Sequence, residues 1–254
     1  MQHQTRIDSL QALRGLAALL VAGPHLYGNA AFATGYAGAF AIFRHGAAGV
    51  DLFFVLSGFI ICHTANRRPG QTPAAFLAGR FWRIVPPYWL VLGLATGLAV
   101  AWAAASGDGS KVPSLRTLAV SALLLPFPDY VIIITWTLAM EVLFYLLFAA
   151  TFLRRGRSAF FAAMLGWVAL SQIVEYQPTL HSPFFDVALH SSALEFLFGA
   201  LIAEAMRRGP LPATGAALAA GAALFAAHLL GAFSAIDGVI GREIIPGIPA
   251  ALLV

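Results

Sequence analysis

The sequence predicts an all-α fold: a polytopic bundle of transmembrane helices, with about seven full spans, a short interfacial or re-entrant segment and a truncated final helix. Three observations lead there. Of the 254 residues, 60% are hydrophobic and only 10% are charged, against about 25% charged in an ordinary soluble domain. So few polar groups cannot cover a soluble fold of this length, and most of the chain is therefore solvated by lipid. Apolar stretches of about 20 residues, enough to cross ~30 Å of hydrocarbon, recur along the chain. The basic residues, fourteen of them Arg and one Lys, fall in short clusters between those stretches. Disordered chains, secreted disulfide scaffolds and cytosolic enzymes are excluded. The single Cys62 cannot form an internal bridge, and no metal cluster is suggested. The net charge of +4 reads as membrane topology rather than as an affinity for nucleic acid.

Taken in order, the spans are expected at 10–31, 46–65, 86–105, 131–153, 158–174, 188–206 and 211–233. The first carries Asp8, Arg14 and His25, a poor match to the uninterrupted apolar core of a signal peptide. The piece Leu118–Pro126 is too short to span and is ended by Pro126 and Pro128, so it is read as interfacial or re-entrant. With the N-terminus inside, the cytoplasmic side then holds Arg6, Arg67, Arg68, Arg80, Arg83, Arg154, Arg155, Arg157, Arg207 and Arg208. The outside holds Arg44, Lys111, Arg116 and Arg242. Ten against four is the asymmetry the positive-inside rule expects. The Ala-rich run Ala216–Ala227 suits close helix packing. The last eleven residues, Ile244–Val254, would make a helix of about 16 Å, half a bilayer, and suggest a chain that stops partway into a span. Residues 1–254 are read as one integral-membrane domain, incomplete at its C-terminus.

Charges inside these spans cost at least about 2.5–3.5 kcal/mol each, which makes Arg14, Asp51, Glu141 and Glu195 functional candidates. His25 joins them as the group best suited to proton transfer near neutral pH. Arg14 and His25 are eleven residues apart, close to three helical turns, and so share one face about 16 Å apart. Pro24 is expected to kink the helix beside His25. Blander readings stand beside these: an interfacial histidine, and an arginine that snorkels to the headgroups. Asp51 opens the second span with Gly58 on its face, where another backbone or a thin substrate arm can approach; it would otherwise cap the helix. Glu141 lies deep in its stretch, with Thr137, Phe144 and Tyr145 on its face, unless it is half of a structural charge pair. Glu195 either balances an arginine or acts itself. Arg80 and Arg83, at i and i+3 in a cytoplasmic loop before Pro86-Pro87, are expected to sit at a helix break. Two guanidinium forks beside aromatic rings suit a phosphorylated ligand; ordinary cytoplasmic anchoring is the plainer alternative.

In this order, Gln11-Ala12-Leu13-Arg14-Gly15-Leu16 with His25, the Gly49–Ile61 block, Arg80–Tyr88, Trp136–Tyr145 and Leu194–Gly199 resemble the membrane acyltransferase family 3. The resemblance is strongest to its exopolysaccharide acetyltransferase branch and covers essentially the whole chain. It implies an O-acyltransferase of the bacterial inner membrane with a cytoplasmic N-terminus. Such an enzyme moves an acyl group, usually acetyl from acetyl-CoA, to a hydroxyl of a surface or exported polysaccharide. Its partners would be the acyl-CoA donor, a glycan acceptor and the lipid bilayer, with no nucleic acid and no metal. The family's functional arginine and histidine of the first helix and its paired inner-loop arginines fall on Arg14, His25, Arg80 and Arg83. His25 would accept the acceptor's proton, with Glu141 or Asp51 fixing its tautomer. Arg14 would hold the donor arm or offset charge on the tetrahedral intermediate. Direct transfer and an acyl-histidine intermediate stay open.

Two other classes remain open. Intramembrane Arg, Asp, Glu and His also mark proton-coupled transporters, although the sequence shows no inverted repeat. A non-catalytic membrane partner of a polysaccharide-assembly complex is the third.

Overall fold

In a computed structural model the described residues form a series of helices joined by turns and short loops. The structure describes residues 8–34, 45–68, 70–209, 211, 214–233 and 244–254; in the first helix, the side chains of residue 8 and residues 25–34 lie outside that description, as does that of Thr214. The helices are α1 Asp8–Thr34, α2 Ala48–Arg67, α3 Pro73–Ser106, α4 Leu115–Ala122, α5 Thr135–Arg155, α6 Arg157–Tyr176, α7 Phe185–Ala188, α8 Ala193–Arg208, α9 Thr214–Leu229 and α10 Gly247–Leu253. Short 3-10 turns occupy Gly109–Lys111 and Pro178–Leu180.

Among the described residues, five segments are long and apolar enough to cross a membrane: α2, α3, α5, α6 and Phe185–Arg208. All seven expected spans are helices, but two fall short of that length. The apolar part of α1 is Ser9–Pro24 and that of α9 is Gly215–Leu229. Helix α1 runs on through Pro24.

The larger departure is in α3. This helix begins at Pro73, capped by the Thr72 hydroxyl, which accepts from the Ala75 N–H at 3.2 Å. It continues for 34 residues to Gly107 at φ 75°. Pro86 and Pro87 lie inside it and do not break it. Arg80 and Arg83 are therefore mid-helix rather than in a loop. Each proline removes one backbone donor, but the next turn is fixed from outside. Tyr88 Oη bonds to the Ser121 carbonyl and Thr135 Oγ1, both at 3.1 Å, and Trp89 Nε1 donates to the Ala122 carbonyl at 2.9 Å. Membrane helices tolerate proline where neighbouring segments support the backbone in this way. The short segment anticipated from sequence is α4, eight residues long and capped by Ser114.

The chain divides into two compact units, residues 1–69 with 194–254, and residues 70–193. In the first, α2 is the central element. Its Gly49 lies against the Ala17 carbonyl and Leu20 of α1. Gly58 lies against the Phe196 carbonyl, and Gly199 of α8 against the Val55 carbonyl. Helix α10 packs on α2 and α9, with Gly221 against Leu252. In the second unit, α3, α5 and α6 contribute an aromatic core of Phe76, Phe144, Phe148 and Phe160, each at most 3% exposed. A smaller cluster of Val85, Tyr88, Leu92 and Leu124 ties α3 to the segment after α4.

Candidate functional site

The first unit holds Arg14, Asp51, Glu195 and the backbone of His25. On α1 the buried positions Leu10, Ala17 and Leu20 form one stripe, and Arg14, four residues after Leu10 and three before Ala17, lies half-buried on that stripe. His25 is in the same helix, with its side chain outside the described residues. Asp51 is fully buried. It does not cap α2: the capping position is Ala47, which makes no side-chain cap. Glu195 is fully buried in the first turn of α8. Gly247 of α10 lies beside it, where a methyl group would be in van der Waals contact with Glu195 Cγ at 3.4 Å.

The second unit holds Arg80, Arg83 and Glu141. Glu141 is half-buried on α5 and accepts a 2.5 Å hydrogen bond from Tyr145 Oη one turn on. Tyr145, 5% exposed, also meets α3. Its ring stands perpendicular to that of Phe76, with centroids 5.9 Å apart and an interplanar angle of 87°. The Arg80 guanidinium lies over both rings, 5.3 Å from Phe76 and 5.6 Å from Tyr145. Two perpendicular π faces thus cradle one delocalised cation. Arg83, one turn further along α3, is exposed, and its charge as well as that of Arg80 reaches Tyr145.

Arg80 and Tyr145 both line a cavity of about 270 Å³. The rest of its wall is apolar, with Phe81, Ile84, Trp89, Leu124 and Val142 among the lining residues. Arg80 is the one charged residue in the lining. This arrangement can hold an anionic group at the guanidinium and a thin apolar arm beside it.

Sequence reasoning placed Tyr145 on the Glu141 face but missed its contact with Arg80, and it missed Phe76. The signal for Phe76 was available, since it lies four residues before Arg80 and helical neighbours at that spacing touch. The Arg80–Tyr145 contact joins two helices far apart in the chain, which no local pattern reveals.

Five helical segments long and apolar enough to cross a membrane, among the described residues, mark an integral-membrane protein. Its sequence matches the profile of the acyltransferase domain over residues 7–252, so the chain belongs to the membrane acyltransferase family 3. It is 37% identical over 225 residues to the exopolysaccharide production protein ExoZ of Rhizobium meliloti, covering 84% of this chain and 66% of ExoZ. It is 35% identical over 92 residues to protein 2 of the picA locus of Rhizobium radiobacter, covering 35% of this chain and 44% of that protein. The chain thus spans just under two thirds of one curated relative and less than half of the other. No solved structure matches it.

Proposed function

We propose that this protein transfers an acyl group, acetyl from acetyl-CoA, to a hydroxyl of a surface or exported polysaccharide, and that it does so in the bacterial inner membrane with its N-terminus in the cytoplasm. The observation that carries the reading is the Arg80 guanidinium over Phe76 and Tyr145, with Arg80 lining an otherwise apolar cavity. Coenzyme A combines a polyanionic nucleotide with a thin, largely uncharged arm, and this is the ligand shape such a site fits. Family membership and the likeness to ExoZ support the acyl chemistry and the polysaccharide acceptor.

In the reaction, the acceptor oxygen attacks the thioester carbonyl, the new C–O bond forms and the C–S bond breaks. The hydroxyl proton passes to His25 and from there to the departing CoA thiolate, so that atoms and charge balance. General-base help of this kind contributes about 10²–10⁴-fold. Arg80 and Arg83 hold the donor's anionic end. Arg14 offsets charge on the tetrahedral intermediate, and Asp51 and Glu141 are the carboxylates that steady the charge developing during transfer. No metal takes part in the proposed steps. All of these residues act within a single acyltransferase domain.

Membranes carrying the chain, incubated with acetyl-labelled acetyl-CoA and exopolysaccharide, test this. Label should enter the glycan and be lost on base treatment, as an O-ester requires, and His25→Ala should abolish incorporation at normal protein level. Incorporation undiminished in His25→Ala removes His25 from the chemistry. Uptake of glycan precursor into vesicles without any acyl donor would point to a transporter instead.

A further inference from the structure

The ring and the hydroxyl of Tyr145 meet two different candidate groups. The ring face carries the Arg80 guanidinium at 5.6 Å, and the hydroxyl donates to Glu141 at 2.5 Å. Tyr145 itself is almost fully buried, packed edge-on against Phe76 and beside Phe144, so neither half of it can move independently. Of the other charged groups on the helices packed against α5, Arg83 on α3 is exposed and its charge also reaches Tyr145, while the rest are engaged elsewhere. Arg157 lies over Phe152, Glu175 accepts from the Ser191 hydroxyl, and Asp186 pairs with His181. A phenylalanine would serve as a platform for Arg80 equally well, and a hydroxyl alone would serve Glu141. Only a tyrosine does both.

We propose that Tyr145 is a positioning residue with two separable duties: its ring, with Phe76, orients the Arg80 fork that binds the acyl donor, and its hydroxyl fixes the Glu141 carboxylate used in transfer. This rests on the acyltransferase reading above. Cation–π support from a partly desolvated ring is worth a few-fold to about tenfold in binding, and loss of a hydrogen bond to a charged acceptor about tenfold or more.

The two duties predict different kinetic signatures in the full chain. Tyr145→Phe keeps the ring, so kcat should fall about tenfold with the KM for acetyl-CoA unchanged. Phe76→Leu removes one π face, so KM and the Kd for CoA should rise about fivefold, with the loss confined to donor binding. Tyr145→Leu should show both losses. Because Tyr145→Leu risks misfolding, the decision rests on the two milder variants, checked by thermal unfolding in detergent. CoA binding and the infrared carboxylate band of Glu141, assigned by its disappearance in Glu141→Gln, are measured on the same samples. That band should shift in Tyr145→Phe and stay put in Phe76→Leu. Wild-type kcat together with an unmoved band in Tyr145→Phe, or unaltered CoA binding in Phe76→Leu, overturns the proposal. Absence of transfer by the wild-type chain overturns the acyltransferase reading instead, and the binding and infrared measurements still decide the two duties of Tyr145.

Discussion

Gly58 on α2 sits directly against the backbone carbonyl of Phe196 on α8, with no room for a side chain between them. About one turn along the same pair of helices, Gly199 of α8 makes the reciprocal approach to the Val55 carbonyl of α2. Close passage of two backbones through small residues is how helices associate in lipid, where apolar burial alone supplies no drive. A methyl group at Gly58 would have to displace backbone rather than a flexible side chain. Gly58→Ala should therefore destabilise the first unit by at least about 2 kcal/mol. The check is the thermal unfolding midpoint in detergent, with Gly93→Ala as control because Gly93 faces open space. Equal midpoints for the two variants would refute the close packing.

Tyr88 makes a second, independent prediction. Its hydroxyl joins α3 to the Ser121 carbonyl and to Thr135 at the start of α5. Tyr88→Phe keeps the volume but leaves both partners short of a bond in a buried setting. A loss of about 1–3 kcal/mol is expected, read as a lower unfolding midpoint. Because this pairing also braces the turn after Pro86-Pro87, hydrogen exchange in that turn should accelerate.

Tyr130 lies in the segment before α5, outside the spans. Burial pushes its phenol from the ordinary 10.0 up to about 12. A raised folded-state value means that its stabilising contribution is complete below pH 10 and is lost as pH rises towards 12. The difference in phenolate absorbance between wild type and Tyr130→Phe should titrate near 12. Titration of that difference at the ordinary value would show the residue to be solvated.

Much of this architecture was legible from residues alone, and the exceptions have physical causes. Seven apolar stretches became helices because lipid leaves the backbone no other way to satisfy its polar groups. A short segment was expected at Leu118–Pro126 and is found as helix α4 at Leu115–Ala122, ending before Pro126 rather than at it, and the close approach at Gly58 was legible from its place on the Asp51 face. The expectation that failed was a helix break at Pro86-Pro87. Local rules for proline do not see the tertiary bonds from Tyr88 and Trp89 that support α3. Length rules overstated α9, whose helix is 16 residues, because the apolar run 211–233 includes turn residues at its C-terminal end. Among the candidate residues, Arg14, Asp51, Glu141 and Glu195 stood out individually because a charge is costly in a membrane, and Arg80 and Arg83 by their i, i+3 spacing beside aromatic residues. Their grouping was not: Arg80 meets Tyr145 only after α3 and α5 have packed together.

Arg80 also separates fork geometry from bare charge. Lys at this position keeps the cation but not the planar stacking on two rings. Arg80→Lys should retain some donor affinity, weakened about fivefold to tenfold, whereas Arg80→Ala should lose more. Acetyl-CoA titrations of transfer rate rank the three proteins. A lysine variant indistinguishable from wild type would reduce the aromatic corner to packing.

The central claim is that the second unit binds an acyl-CoA donor through Arg80. Equilibrium binding of CoA to the purified full chain, wild type against Arg80→Ala, measures it most directly. The account predicts saturable binding by the wild type and at least about a tenfold weaker Kd in the variant. Equal affinity in the two, or no binding by a folded wild type, would contradict it.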